Sequence, residues 1–438
     1  MTLRHFLLAI AICAFPLHSA EAVVIERVTS PGGIEAWLVE DHANPIIALE
    51  VGFKGGSALD PAGKTGLAEM VSGLLDEGAG DLDSQAFHGK LENLAISFGF
   101  SASHDRFQGH LKTITANRDT AFDLLRLSFT APRFDADAVD RVRAQIQSIL
   151  SEELQSPHVI AQRAFARAMY PNHPYGLPND GTPETINAIT VDDLKAWVAA
   201  HLARDNLTIS VVGDITPVDL AVLLDRTFGA LPEKSAAGDV PDVAPQAEGK
   251  IDVIHRSIPQ SVILFGEPGL KRDDPDWYAA YVMNYILGGG GFSSRLTAEV
   301  RVKRGLAYGI SSFLAPLDHS ALFEGQVATR NDRVGDSVQV IKEEWRRMAE
   351  GGVTPKELAD AKTYLNGSFP LQLESTAAIA GLLQVIQTEK LGIDYLDRRK
   401  AMIDKVTQAD VKRAAHRLLD VDHLSFVILG DPQGLPSE

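Results

Sequence analysis

Arg301 and Tyr308 bring a guanidinium and a phenol into one short stretch of the chain. Arg301 closes a predicted helix, Gly305 ends it and Tyr308 opens the next strand, so the turn can carry both side chains to one surface. Two fixed donors of this kind can stabilise an oxyanion. The structural alternative is an arginine that complements the negative end of the helix dipole, followed by a half-buried strand tyrosine. Just upstream, Gly288-Gly289-Gly290-Gly291-Phe292-Ser293-Ser294 lies between two predicted helices. Glycine amides can cradle a phosphate, but no strand precedes this run and no Gly-Lys-Ser/Thr follows it. A flexible loop lining a binding chamber fits better, with a plain helix-helix turn as the alternative and Ser294 as N-cap of the Arg301 helix. For metal chemistry the chain offers His88 and Glu92, four apart on a predicted helix, and His104 and His110 on successive strands. Two ligands without a third do not hold zinc tightly, so such pairs read first as solvated surface groups.

Composition narrows the options. Arg4 and His5, the apolar run from Phe6 to Leu17 and the Ala20-Glu21-Ala22 step predict a secretory signal over residues 1–22 and an exported, periplasmic chain without a membrane span. The one cysteine, Cys13, falls inside that segment, so the mature chain has no thiol for a disulfide, a zinc thiolate or a nucleophile. A formal charge of −17 argues against a nucleic-acid partner, because phosphate binding needs clustered Lys and Arg. Peptides are more compatible company.

The elements that must position these residues form a tandem duplication. Thr190, Asp193, Lys195, Leu207, Gly213 and Asp214 recur as Thr407, Asp410, Lys412, Leu424, Gly430 and Asp431, each shifted by 217 positions. Both copies predict a Thr-capped helix followed by an apolar strand ending in Gly-Asp. Gly52, Asp60 and Pro61 likewise match Gly266, Asp274 and Pro275 at an offset of 214. Paired strands followed by helices predict an α+β fold in each half, with helices on one face of a mostly antiparallel sheet. The expected divisions are a signal over 1–22, a first half over 23–232, an Ala/Pro/Gly-rich linker over 233–249 and a second half over 250–438.

Gly55-Gly56-Ser57 and the run from Asp60 to Ala68 resemble the segment leading into the metal helix of the pitrilysin (insulinase-type) family of inverted-motif zinc peptidases. His173-Pro174-Tyr175-Gly176, the loop from Gly288 to Leu296 and the stretch from Arg301 to Tyr308 are similar to further landmarks of that family. Active members continue with H-x-x-E-H, two imidazoles on one helix face and a carboxylate base. Here those places hold Glu69, Ser72 and Gly73, which provide neither. The family's third ligand is a later helical Glu, for which Glu152 and Glu153 are the candidates; without the histidines they read as ordinary helix acids.

The resemblance implies a bowl-shaped half of a clamshell that carries no metal itself. Zinc is expected in a homologous H-x-x-E-H subunit, the two chains forming a heterodimeric peptidase acting on peptides. Tyr308 would then serve the tetrahedral intermediate, Arg301 a neighbouring substrate carbonyl, and Gly289, Gly290, Gly291, Phe292 and Ser293 the substrate. A catalytically inactive structural or peptide-holding homologue is the competing expectation. A solitary zinc peptidase with a displaced site is a third.

Overall fold

The computed structural model describes residues 23–435, so the expected signal segment lies outside the described residues. The strands are β1 (Glu26–Thr29), β2 (Glu35–Glu40), β3 (Ile46–Lys54), a short pair β4 (Gly78–Ala79) and β5 (Leu82–Asp83), β6 (Ser97–Ala102), β7 (Arg106–Ile114) and β8 (Leu207–Gly213). The second half contributes β9 (Ile251–His255), β10 (Gln260–Pro268), β11 (Ala307–Pro316), β12 (Ala321–Arg330) and β13 (Ser425–Gly430). One sheet runs β1-β2-β8-β3-β7-β6 and the other β11-β12-β10-β13-β9.

Read in corresponding directions, β2-β8-β3-β7-β6 and β9-β13-β10-β12-β11 are the same arrangement. Each has one parallel pair, β2 with β8 and β9 with β13, and is otherwise antiparallel. The fold is therefore α+β with two sheet-containing lobes, each flanked by helices, in a clamshell-like arrangement. The repeated Thr-Asp pattern has a local cause: Thr190 with Asp193 and Thr407 with Asp410 form reciprocal capping boxes on the helices Val191–His201 and Gln408–Leu418. Each lobe buries its own core, around Phe53, Phe87, Phe107, Phe122 and Phe228 in the first and Phe265, Phe323, Trp345 and Phe426 in the second.

Each sheet has a second face, and that face is covered by a helix of the other half. Pro157–Met169, in the first half, lays Ala161, Phe165 and Met169 on Leu264, Val427 and Leu429 of the second sheet. Thr376–Thr388, in the second half, lays Ala380, Leu383 and Ile386 on Val39, Ala48 and Val212 of the first. The sequence reading put helices on one face only; the exchange supplies the other. Gly52 and Gly266 mark where the exchanged helices cross. A Cβ at Gly52 would lie 2.2 Å from Gln384 Nε2, the movable end of a side chain, and one at Gly266 2.9 Å from the Phe165 ring, so each crossing is a close approach to the sheet backbone.

A polar seam joins the lobes as well. Tyr175, from the His-Pro-Tyr-Gly stretch, donates its hydroxyl to Asp105 (2.6 Å) and accepts from the His319 amide (3.1 Å). Arg106 Nη2 donates to Asp318 Oδ1 at 2.7 Å. Residues 233–249 run without regular structure and mostly exposed, tied to the lobes by Val243 N–H to His319 O and Gln246 N–H to Met169 O.

Candidate functional site

The helix that corresponds to the zinc helix is short, Leu67–Ser72, and is started by Asp60. The Asp60 carboxylate accepts from the amides of Gly66 (2.9 Å), Leu67 (3.0 Å) and Ala68 (3.1 Å), satisfying donors that a helix start leaves free. The carboxylate cap sets the start of this helix at Leu67, and it ends at Gly73. Glu69 is half-buried, and burial together with the nearby charge of Asp180 raises its pKa. Ser72 is buried and donates its hydroxyl to the Glu69 carbonyl at 2.8 Å. Gly73 has no side chain to coordinate with. The residues present do not fit a zinc ion: one carboxylate remains where two imidazoles and a carboxylate base are required.

Nor do the other sequence candidates converge. Glu153 belongs to the helix Ala136–Glu153 and is paired with Arg163 (2.8 Å). His88 lies 3.6 Å from Glu77, and His104 Nε2 meets the Leu177 carbonyl at 3.1 Å. Among the described residues no group of three or more His, Cys, Asp or Glu is arranged to hold a metal ion.

In the second lobe the sequence-predicted residues do come together. The helix Trp277–Asn284 passes into a π-helical turn, Tyr285–Gly289, and the glycine-rich loop follows. Gly288 presses on strand β11, where a Cβ would lie 2.2 Å from Ser312 Oγ, and Ser312 donates to Asn284 Oδ1 at 2.7 Å. The loop is thus anchored at its root by close backbone approach. Ser294 then accepts from the Thr297 amide at 3.3 Å and caps the next helix, whose Thr297–Lys303 turns are again π-helical. Such wide turns concentrate at functional positions.

Arg301 sits in the last of those turns. Gly305, at φ +59, reverses the chain, with Leu306 N–H reaching back to the Val300 carbonyl (2.8 Å). Strand β11 begins at Ala307, but its pairing with β12 skips from Ala307 to Ile310. Tyr308 and Gly309 occupy that bulge, which releases Tyr308 from the ladder and leaves it 84% exposed. The Arg301 guanidinium carbon lies 4.4 Å from the Tyr308 ring centroid and 4.5 Å from that of Phe292, itself 74% exposed. An arginine therefore lies over two aromatic rings on an exposed surface. The sequence reading paired Arg301 with Tyr308 and assigned Phe292 to the substrate, without setting its ring against Arg301. No spacing rule links an aromatic at 292 to a cation nine positions on across a loop and a π-turn.

Comparison with known proteins identifies the family. Residues 36–182 match the family described as Insulinase (Peptidase family M16), and residues 188–365 match the Peptidase M16 inactive domain. A solved structure titled as the peptidase M16 inactive domain from Pseudomonas fluorescens superposes with a TM-score of 0.87 at 30% identity, over 94% of this chain and 99% of that one. The Non-peptidase homolog YmxG of Helicobacter pylori is 26% identical, over 98% of this chain and 99% of its own length. The Probable mitochondrial-processing peptidase subunit beta of Schizosaccharomyces pombe is 26% identical, over 88% of this chain and 86% of its own. With two matching lobes and a motif helix stripped of imidazoles, the chain belongs to the insulinase family, peptidase M16, and has the architecture of its inactive, non-metal-binding members.

Proposed function

We propose that this chain is the non-metal subunit of a heterodimeric zinc endopeptidase, exported to the periplasm, that lends Arg301 and Tyr308 to a homologous partner carrying H-x-x-E-H and the zinc. The observation that carries the reading is the Phe292-Arg301-Tyr308 stack, which offers a guanidinium and a phenol on an exposed face of a chain whose own motif helix has no ligands. Water attack on a peptide carbonyl places negative charge on oxygen, and donors fixed beforehand stabilise that state more than the planar substrate. The Tyr308 hydroxyl would donate to the oxyanion and Arg301 to an adjacent substrate carbonyl, with the loop over Gly289 to Ser293 bordering the peptide.

Names of relatives support both parts: one is a non-peptidase homolog, and another is a subunit of a processing peptidase. The test is to express this chain and a family member bearing H-x-x-E-H separately and together, and to measure peptide hydrolysis by each and by the pair. Hydrolysis that requires the mixture is expected. Cleavage by this chain alone, or a partner equally active without it, would overturn the assignment; assembly without any hydrolysis would point to a structural or peptide-holding role.

A further inference from the structure

The first lobe does more than lack ligands at its motif helix: position 73 is crowded, and a charge that a metal ion would bring is already supplied by the chain. The crowding comes from Val142, a buried residue of the helix Ala136–Glu153. A Cβ built at Gly73 would sit 3.1 Å from Val142 Cγ1, so any side chain at position 73 requires that buried methyl group to give by a few tenths of an ångström. Charge is provided by Arg163, on the helix Pro157–Met169. Its Nη2 donates to Glu153 Oε2 at 2.8 Å and to Asp180 Oδ2 at 2.7 Å. Arg163, Glu153, Asp180 and Glu69 line one cavity of about 480 Å³, whose remaining wall includes Ile146, Leu150, Val159 and Leu177.

Three carboxylates on one partly apolar cavity repel each other unless a shared proton or a cation lies among them: the hydrogen bond to Asp180 and burial push Glu153 up to about 7, and Arg163 opposes that rise. A divalent ion is one way to supply that cation. Here the chain supplies it covalently. We propose that Arg163 is the resident cation of this cavity, an internal replacement for a metal, and that with Val142 it makes the site unable to take up zinc even when the motif residues are restored.

Three forms of the mature chain test this by thermal melting in chelator and in millimolar calcium or zinc. The native chain is expected to melt alike in all. Arg163→Met is expected to melt several degrees lower in chelator and to recover on adding a divalent cation, which then occupies the vacated charge position. Arg163→Met combined with Glu153→Gln and Asp180→Asn removes the repulsion with the cation and is expected to melt close to native and ignore divalent ions. A fourth form, Glu69→His/Ser72→Glu/Gly73→His, is expected to bind less than about a tenth of a zinc per chain by elemental analysis.

An Arg163→Met chain that melts like the native one in chelator would overturn the proposal. So would stoichiometric zinc in the motif-restored form with Arg163 and Val142 intact. If Arg163→Met does not fold, the triple variant decides: cooperative melting upholds charge compensation, and failure to fold shows that the arginine stem, not its charge, is what the cavity needs.

Discussion

Arg301 and Tyr308 stand face to ring at 4.4 Å because a π-helical turn delivers the first and a β-bulge releases the second. If the phenol donates to an oxyanion in the assembled enzyme, Tyr308→Phe keeps the ring over the guanidinium and removes only the donor. Turnover of the pair should fall by about a hundredfold or more with little change in KM, while co-purification of the two chains is unchanged. Full turnover in that variant would exclude the catalytic role.

The Phe292 ring centroid lies 4.5 Å from the same guanidinium carbon. An exposed cation-π contact contributes about 0.5–1 kcal/mol, so Phe292→Ala should lower kcat/KM of the pair about two- to fivefold. Phe292→Tyr should restore it and Phe292→Leu should not. Equal rates for the Leu and Tyr variants would show that bulk, not the ring face, matters.

The two helix crossings differ in how they meet an added methyl group. At Gly266 the obstacles are the Phe165 ring and the Phe323 carbonyl, at 2.9 and 3.0 Å, whereas at Gly52 the nearest is the end of the Gln384 side chain. Gly266→Ala should cost about 1–3 kcal/mol in a denaturant titration, and Gly52→Ala less, because Gln384 can swing aside at the loss of its bond to Thr208 (2.6 Å). The reverse order would mean that the exchanged helices are not packed as described.

Glu267 is 1% exposed, accepts from Trp345 Nε1–H (2.5 Å) and the Asp420 amide (2.9 Å), and is pushed up to about 8 by burial. The folded pKa lies above the unfolded one, so its contribution is complete below about pH 4.5 and is lost as pH rises through about 8. Glu267→Gln should flatten the fall in unfolding free energy between pH 5 and about 8.5, a difference on the order of a few kcal/mol. An unchanged slope would assign that pH dependence to other groups.

Much of the molecule is written locally. The capping boxes at Thr190 and Thr407 and the strand ends at Gly213 and Gly430 follow from side chains three residues apart or from a backbone turn, and repeat because the halves repeat. The helix-turn-strand that carries Arg301 and Tyr308 is local in the same sense, which is why their shared surface could be expected. The bulge at Tyr308 was not legible: it depends on how β11 pairs with β12, and pairing across strands has no signature at one position. Arg163 was invisible for a similar reason, since its two carboxylates lie 10 and 17 residues away and meet it only after three segments have packed.

The sequence by itself determined the duplication, the order of strands and helices, and the absence of imidazoles at Glu69 and Gly73, because each is a matter of residue type at fixed spacing. It also marked Gly52 and Gly266 as equivalent without saying why. Only the tertiary structure decided that each glycine admits a helix from the opposite half, that Phe292 joins the arginine cluster, that Val142 crowds Gly73 and that Arg163 bridges Glu153 and Asp180. Those are contacts between segments distant in the chain, and they exist only once burial of both sheet faces has forced the halves together.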